Sequence, residues 1–279
     1  MWTDWFIAPT CNVHPAVYML VAALAIMLVA VSKGGFGGGV GALSVPMMLL
    51  VVEQKGVVLG MWLPVLIACD ICTLPHYPRT WRPRALFRIA PGTVVGIVAG
   101  FFLLDYVADK AWLLNLTIGV ICLVFVVLKL IRGWFDRQVK DRPAWRPSWP
   151  AGTSMGLAAG VSTMMAHAAG SIVQMYVLPQ KLDKREFVGT CARFFFVFNI
   201  FKIPFFILSP SKAQLTWEAF RSSMWLFALA PFGVWFGSWL NKKTDPKWFV
   251  RLIYIFLAFA GGKLIFDATW TLIKNGAAS

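Results

Sequence analysis

Apolar residues run along this chain in long blocks separated by short polar or basic stretches. Ten such blocks can be drawn, at about 16–32, 37–52, 56–75, 87–104, 111–132, 151–165, 168–180, 186–208, 222–240 and 248–272. A run of roughly 20 apolar residues crosses the hydrocarbon core as a helix. Lipid offers the backbone no hydrogen-bond partners, so only helices or a closed barrel can span it. The two-residue alternation of barrel strands is absent, which predicts an all-α integral membrane protein. Composition agrees. The chain is 59% hydrophobic and 14% charged over 279 residues, against about 25% charged in soluble domains, and its mean hydropathy is +0.70.

The two halves of the block pattern echo each other. Val58-Leu59-Gly60-Met61 opens the third block and Phe187-Val188-Gly189-Thr190 opens the eighth. In that register Asp70 falls on Asn199, and across a small loop difference Phe36-Gly37-Gly38-Gly39 falls on His167-Ala168-Ala169-Gly170. The reading is two repeats, 1–133 and 148–279, joined by a basic linker over 134–147. Each repeat holds a re-entrant or broken helical hairpin followed by three transmembrane helices.

The net charge of +14 suggests nucleic acid in a soluble protein. Here the positive charge is concentrated in a few loops, where it sets topology. Arg79, Arg82, Arg84 and Arg88 lie between blocks three and four. Lys140, Arg142 and Arg146 lie in the linker, Lys181, Lys184 and Arg185 before block eight, and Lys242, Lys243 and Lys247 after block nine. Placing these loops in the cytoplasm puts both termini outside, makes the first two blocks a hairpin entered from outside, and makes blocks six and seven a hairpin entered from inside. The second repeat is then inverted relative to the first, a transporter signature with its binding site at the repeat interface. Asp4, with no early Lys or Arg, makes the N-terminus a poor signal peptide.

Blocks two and seven are too short for a bilayer of about 30 Å at 1.5 Å per residue. They read as the inner arms of hairpins that turn near the midplane, at Gly34-Gly35-Phe36-Gly37-Gly38-Gly39 and Ala166-His167-Ala168-Ala169-Gly170. Small residues let a backbone approach a ligand and also let helices pack closely. Five glycines in six positions exceed what packing needs. Both inner arms begin at a turn, so their free amides and positive dipole ends suit an anion. No Gly-Lys-Ser/Thr follows, so this is not a nucleotide loop.

The stretch Ser-Lys-Gly-Gly-Phe-Gly-Gly-Gly-Val-Gly-Ala-Leu-Ser-Val-Pro, Ser32 to Pro46, resembles the first-repeat motif of the TauE/SafE sulfite exporter family. Gly156 to Gly170 and Val188-Gly189-Thr190 resemble its second motif, with His167-Ala168-Ala169 where glycines are usual. The resemblance covers nearly the whole chain. It implies a secondary transporter for sulfite or an organosulfonate at the inner membrane, working by alternating access. The 14 tryptophans and 23 phenylalanines are compatible with an aromatic sulfonate, and equally with interfacial anchoring.

Ionisable residues inside a membrane default to function. The substrate-binding candidates are Lys33, Gly35, Phe36, Gly37, Gly38, Gly39, His167, Ala168, Gly170, Arg193 and Asn199. Lys33 could neutralise a sulfonate or pair with Asp70. Arg193 offers a guanidinium fork matched to sulfonate oxygens, or a structural partner for Asp70. His167 could donate to the anion or relay a proton. Asp70 would repel an anion, so it reads as counter-ion or proton carrier. Lys202, nine residues beyond Arg193, falls on the opposite helix face and reads as snorkelling outward. Ser32, Thr163 and Gln174 are weaker polar candidates, and Lys263 and Asp267 form an i, i+4 pair. Cys69 and Cys72 share a face but sit in a membrane helix, where cysteine packs as a small hydrophobe. No metal or cofactor is expected. An anion channel with the same site and a membrane enzyme for sulfur compounds are the rival readings. The second would need a catalytic cluster, and His14, His76 and His167 are far apart in sequence.

Overall fold

The computed structural model describes residues 7–8, 11–39, 41–53, 55–108, 144–208 and 215–243, with single positions in 112–130 and 258–273. Nine α-helices are described: α1 (Pro15–Phe36), α2 (Gly41–Met48), α3 (Lys55–Thr73), α4 (Pro83–Ala108), α5 (Trp149–Ala166), α6 (Gly170–Val177), α7 (Lys184–Leu208), α8 (Trp217–Ser223) and α9 (Leu229–Lys243). A 3-10 turn, Met224–Ala228, joins α8 to α9. Among the described residues, five helical stretches are long and apolar enough to cross a membrane: Pro15–Phe36, Gly56–His76, Pro83–Val107, Lys184–Leu208 and Trp217–Lys243. Among the described residues the only strand-like pairing is an isolated bridge, Cys11 to Val52. Parts of block five, most of block ten, the linker over 134–143, and the Lys263–Asp267 pair lie outside the described residues.

The first helix runs further than its apolar block. His14 caps α1, its ring accepting from the Ala16 amide, and Pro15 occupies the first turn, where its missing N–H costs nothing. The helix continues past Ser32 to Phe36 because Lys33 is neutralised inside the bundle and Gly34 and Gly35 pack against another helix. It stops at Gly37, whose φ of 68° needs no Cβ. The short blocks form short helices, as their lengths require: α2 and α6 have eight residues each.

Two seams hold the bundle together. In one, α4 lies on α5, and in the other, α1 lies on α9; among the described helices these contacts are the most extensive. Both rely on glycine. A methyl at Gly156 would overlap the Ile89 carbonyl and approach the Thr93 amide to 2.9 Å. A methyl at Gly34 would come within 2.8 Å of Val234 Cα. Helices in lipid gain little from burying apolar surface against each other, so close backbone approach supplies the cohesion. The outward faces stay apolar, with Phe87, Phe102, Leu208, Phe232 and Trp235 all exposed.

Candidate functional site

Each hairpin turns through the same kind of helix cap. At the end of α1, Gly37 and Gly38 have left-handed φ, and the Gly38 amide donates to the Ser32 carbonyl at 3.0 Å. At the end of α5, His167 takes the left-handed position with φ 51°, and the Ala168 amide donates to the Ser162 carbonyl at 3.3 Å. These are Schellman-type caps. They align Gly37 with His167 and Ser32 with Ser162, one position away from the register expected from the sequence. The shift has a physical cause, since the left-handed residue and not the apolar match fixes the turn.

The two turns touch. A methyl at Gly170 would overlap the Gly38 carbonyl and sit 2.9 Å from Gly39 Cα. From α6, the Gln174 amide donates to the Phe36 carbonyl at 2.7 Å, and its side chain occupies the space a methyl at Gly39 would need. Every glycine of the first turn meets a protein atom. Gly34 and Gly35 face α9, Gly37 faces Phe187 and Cys191, and Gly38 lies under Phe195. The expectation that five glycines exceed what packing needs is therefore corrected: packing uses all of them in this conformation. Asn241 also donates to the Gly35 carbonyl. Ala168 is fully buried within the second turn, and no side chain caps the N-terminus of α6.

Beside the turns lie two buried polar groups. In the first, Lys33 Nζ is 2.5 Å from Asp70 Oδ1 and donates to the Leu66 carbonyl at 3.1 Å, with the Phe195 ring 5.1 Å away. Asn199 Nδ2 donates to the other Asp70 oxygen at 2.7 Å. In the second, Lys202 Nζ donates to Thr163 Oγ1 at 3.0 Å and to the Thr163 carbonyl at 3.3 Å, and lies 3.0 Å from His167 Nδ1. His167 Nε2 faces the Leu59 carbonyl at 3.0 Å, and the Phe206 ring stacks on the imidazole. Asp70 and Lys202 are 0% exposed, and the other members of both groups at most 5%. The ionisable groups lie within electrostatic reach of one another, Asp70 with Lys202 and His167 with Lys33.

The structure thus gathers Lys33, Asp70, Asn199 and His167 around the touching turns. Arg193 goes elsewhere. Its guanidinium donates to the Gly189 and Tyr77 carbonyls at 3.0 and 3.1 Å and stacks on Trp81. It bonds neither turn, although Tyr77 carries the connection onward by donating to the Gly34 carbonyl at 2.5 Å. Burial pushes the Tyr77 phenol up to about 12, which keeps it a donor.

The expectation that Lys202 snorkels outward is overturned. Its face is opposite that of Arg193, as the spacing requires, but that face is the interior one. Phe195, Asn199, Lys202 and Phe206 follow one another at helical intervals along α7 and are all buried. The i, i+3 relation of Lys202 to Asn199 was the signal available in the sequence. Trp62, fully buried on α3 one turn beyond Leu59, had no such signal.

What this arrangement can do is bounded by its chemistry: donors and cations dominate, and the described cysteines are free thiols with no paired partner. Neither the curated proteins nor the solved structures contain a match to the chain. A family model described as sulfite exporter TauE/SafE matches residues 22–264. That span contains both hairpin turns and every buried polar residue described above, and the chain is therefore a multi-pass membrane transporter of the TauE/SafE sulfite exporter family.

Proposed function

We propose that the chain is a secondary transporter for a small sulfur-containing anion, sulfite or an organosulfonate, which docks where the two hairpin turns meet and crosses the inner membrane by alternating access. The observation that carries this reading is the contact of Gly38 with Gly170 inside an apolar bundle, with Lys33 and His167 alongside. Helix N-termini and buried cations together favour negative charge in a medium where water does not compete. The first-turn amides of α6, the second amide hydrogen of Asn199 and the ammonium of Lys33 form the docking set, with His167 positioning the polar groups beside them. Phe36, Gly37, Gly38, Gly39, Ala168 and Gly170 shape the backbone around it. Asp70 serves as counter-ion, and Gly35 acts through the seam. Arg193 acts from the loop at Tyr77 and Trp81.

Two inverted repeats, 1–133 and 148–279, explain why matched contacts recur. The would-be side chain of Gly37 points at Phe187 and Cys191 of α7, while the side chain of its cap counterpart His167 points at Leu59 of α3. Each seam likewise joins the outer arm of one hairpin to a helix of the other repeat. On this reading both termini are periplasmic and the basic loops cytoplasmic. Backbone-to-backbone contact of the turns favours a carrier over a channel, which would need an open path between them.

The test is flux in proteoliposomes holding the purified chain. Labelled sulfite or methanesulfonate should enter saturably, and unlabelled substrate on the far side should drive counterflow. Unsaturable flux would indicate a channel. No flux of any sulfur oxyanion, with uptake of a cation or sugar instead, would end the reading.

A further inference from the structure

The charges in the buried layer do not cancel, and the remainder suggests what the site takes. Lys33 and Asp70 neutralise each other at 2.5 Å. His167 Nε2 faces a carbonyl, so it carries its hydrogen there; with Nδ1 bare, Lys202 Nζ meets three acceptors, the number that the three N–H groups of an ammonium serve. The imidazole is then uncharged. Lys202 is left with Thr163 and His167 as its bonding partners, neither of them anionic. The charged side chains within its electrostatic reach among the described residues are Lys33 and Asp70, which are already matched to each other. One cation remains without a countercharge.

An unmatched charge in the membrane interior is costly. Two further buried groups are incomplete: Trp62 Nε1 and Ser162 Oγ have no hydrogen-bond partner. Trp62 lies on α3 between Leu59, which receives His167, and Leu66, which receives Lys33. Ser162 precedes Thr163, which receives Lys202. Buried donors without acceptors are rare in native proteins, and these two stand within one helical turn of residues that bond Lys33, His167 and Lys202. An oxyanion supplies what all three lack.

Resting on the anion-carrier reading, we propose that Lys202 is the group that receives the anion, and that the site is built for a single negative charge: a monosulfonate or hydrogen sulfite rather than a dianion. One negative charge brings the layer to neutrality, so the loaded centre can move through a low-dielectric interior. A second charge would leave the layer negative.

Methanesulfonate and sulfate are both tetrahedral oxyanions of similar size and differ in charge. Titration calorimetry of the full chain in lipid nanodiscs should show methanesulfonate binding about tenfold or more tightly than sulfate, a gap of about 1.4 kcal/mol. Lys202→Gln should lose at least that factor for methanesulfonate. Asn199→Asp, which adds a carboxylate beside Asp70 at nearly constant volume, should do the same without touching Lys202. A Lys202→Gln protein that melts like the parent and binds methanesulfonate equally well would overturn the proposal. If Lys202→Gln does not fold, undiminished binding by Asn199→Asp overturns it. Sulfate bound as tightly as methanesulfonate removes the charge rule and leaves the transporter reading standing. No binding of sulfite or of any sulfonate removes both.

Discussion

Replacing Asp70 by Asn tests whether the buried pair is as isolated from solvent as the structure indicates. Asp70 is fully buried and its two oxygens are divided between Lys33 and Asn199. D70N keeps the shape and still offers Asn199 an acceptor, so the main change is electrostatic. Lys33, 5% exposed, keeps the Leu66 carbonyl but loses its counter-ion. Breaking a buried pair from one side costs about 3–5 kcal/mol, because the surviving charge is stranded. Removing both charges should cost far less, since pairs replaced by apolar groups of similar volume are often neutral. The assay is a double-mutant cycle of D70N, Lys33→Met and their combination, with unfolding followed in mixed micelles or bicelles. The expected result is a large loss for D70N, recovery of most of it in the double variant, and a coupling well above the roughly 0.5 kcal/mol of independent sites. A loss below about 1 kcal/mol for D70N, within the range of an exposed pair, would refute the reasoning and show that water reaches Lys33.

Two further outcomes follow from packing and from the loop at Tyr77. Gly156→Ala should lower the melting temperature and cost at least the roughly 1–3 kcal/mol of an overpacked core, because the new methyl meets the Ile89 carbonyl and the Thr93 amide, which are backbone and cannot move aside. Unchanged melting would contradict the seam. For Tyr77, the phenol ionises at about 12 in the fold against about 10 in the unfolded chain. The folded state therefore holds more protons between those values, and this contribution is intact below pH 10 and declines from there to about 12. Tyr77→Phe should lose stability less steeply across that window than the parent in an alkaline denaturation series; parallel curves would show that the phenol is not buried as the structure has it.

The membrane class, the hairpins and their short inner arms were legible because block length and block spacing are one-dimensional signals. Most boundaries of the described helices follow from the same signals, with α1 running four residues past its expected end because Lys33 found a partner 37 positions away. The site was only half legible. Lys33, Asp70, Asn199 and His167 stood out as polar residues in apolar blocks, and the structure groups them. Arg193 stood out for the same reason and is bonded instead to a loop carbonyl. Its distance from the turns depends on the path of residues 77–81, which no periodicity predicts. Lys202 was misread because its face was judged against Arg193 and not against Asn199, three residues before it.

The seams also decide which parts can move. In each, the outer arm of one hairpin is fused to a helix from the other half of the chain, α1 to α9 and α5 to α4, with backbones too close for side chains to intervene. Such contacts do not slide, since any displacement would need the space that glycine removes. The contact between the turns is different: it rests on Gly38, Gly39, Gly170 and the single side chain of Gln174. On the proposed carrier reading, the rigid bodies would be α1 with α9 and α4 with α5, not the two halves of the sequence, and access would alternate by parting them at the turns. Disulfides in a background lacking the five native cysteines separate the two schemes. Met27→Cys with Gly233→Cys crosses one seam, where Met27 Sδ lies 3.4 Å from a methyl at 233, and Gly100→Cys with Val161→Cys crosses the other. Both should leave counterflow unchanged when oxidised. Gly39→Cys with Gln174→Cys ties the turns together and should abolish it, with recovery on reduction. Loss of counterflow from either seam cross-link, with the turn cross-link tolerated, would return the motion to the halves of the sequence and refute the assignment.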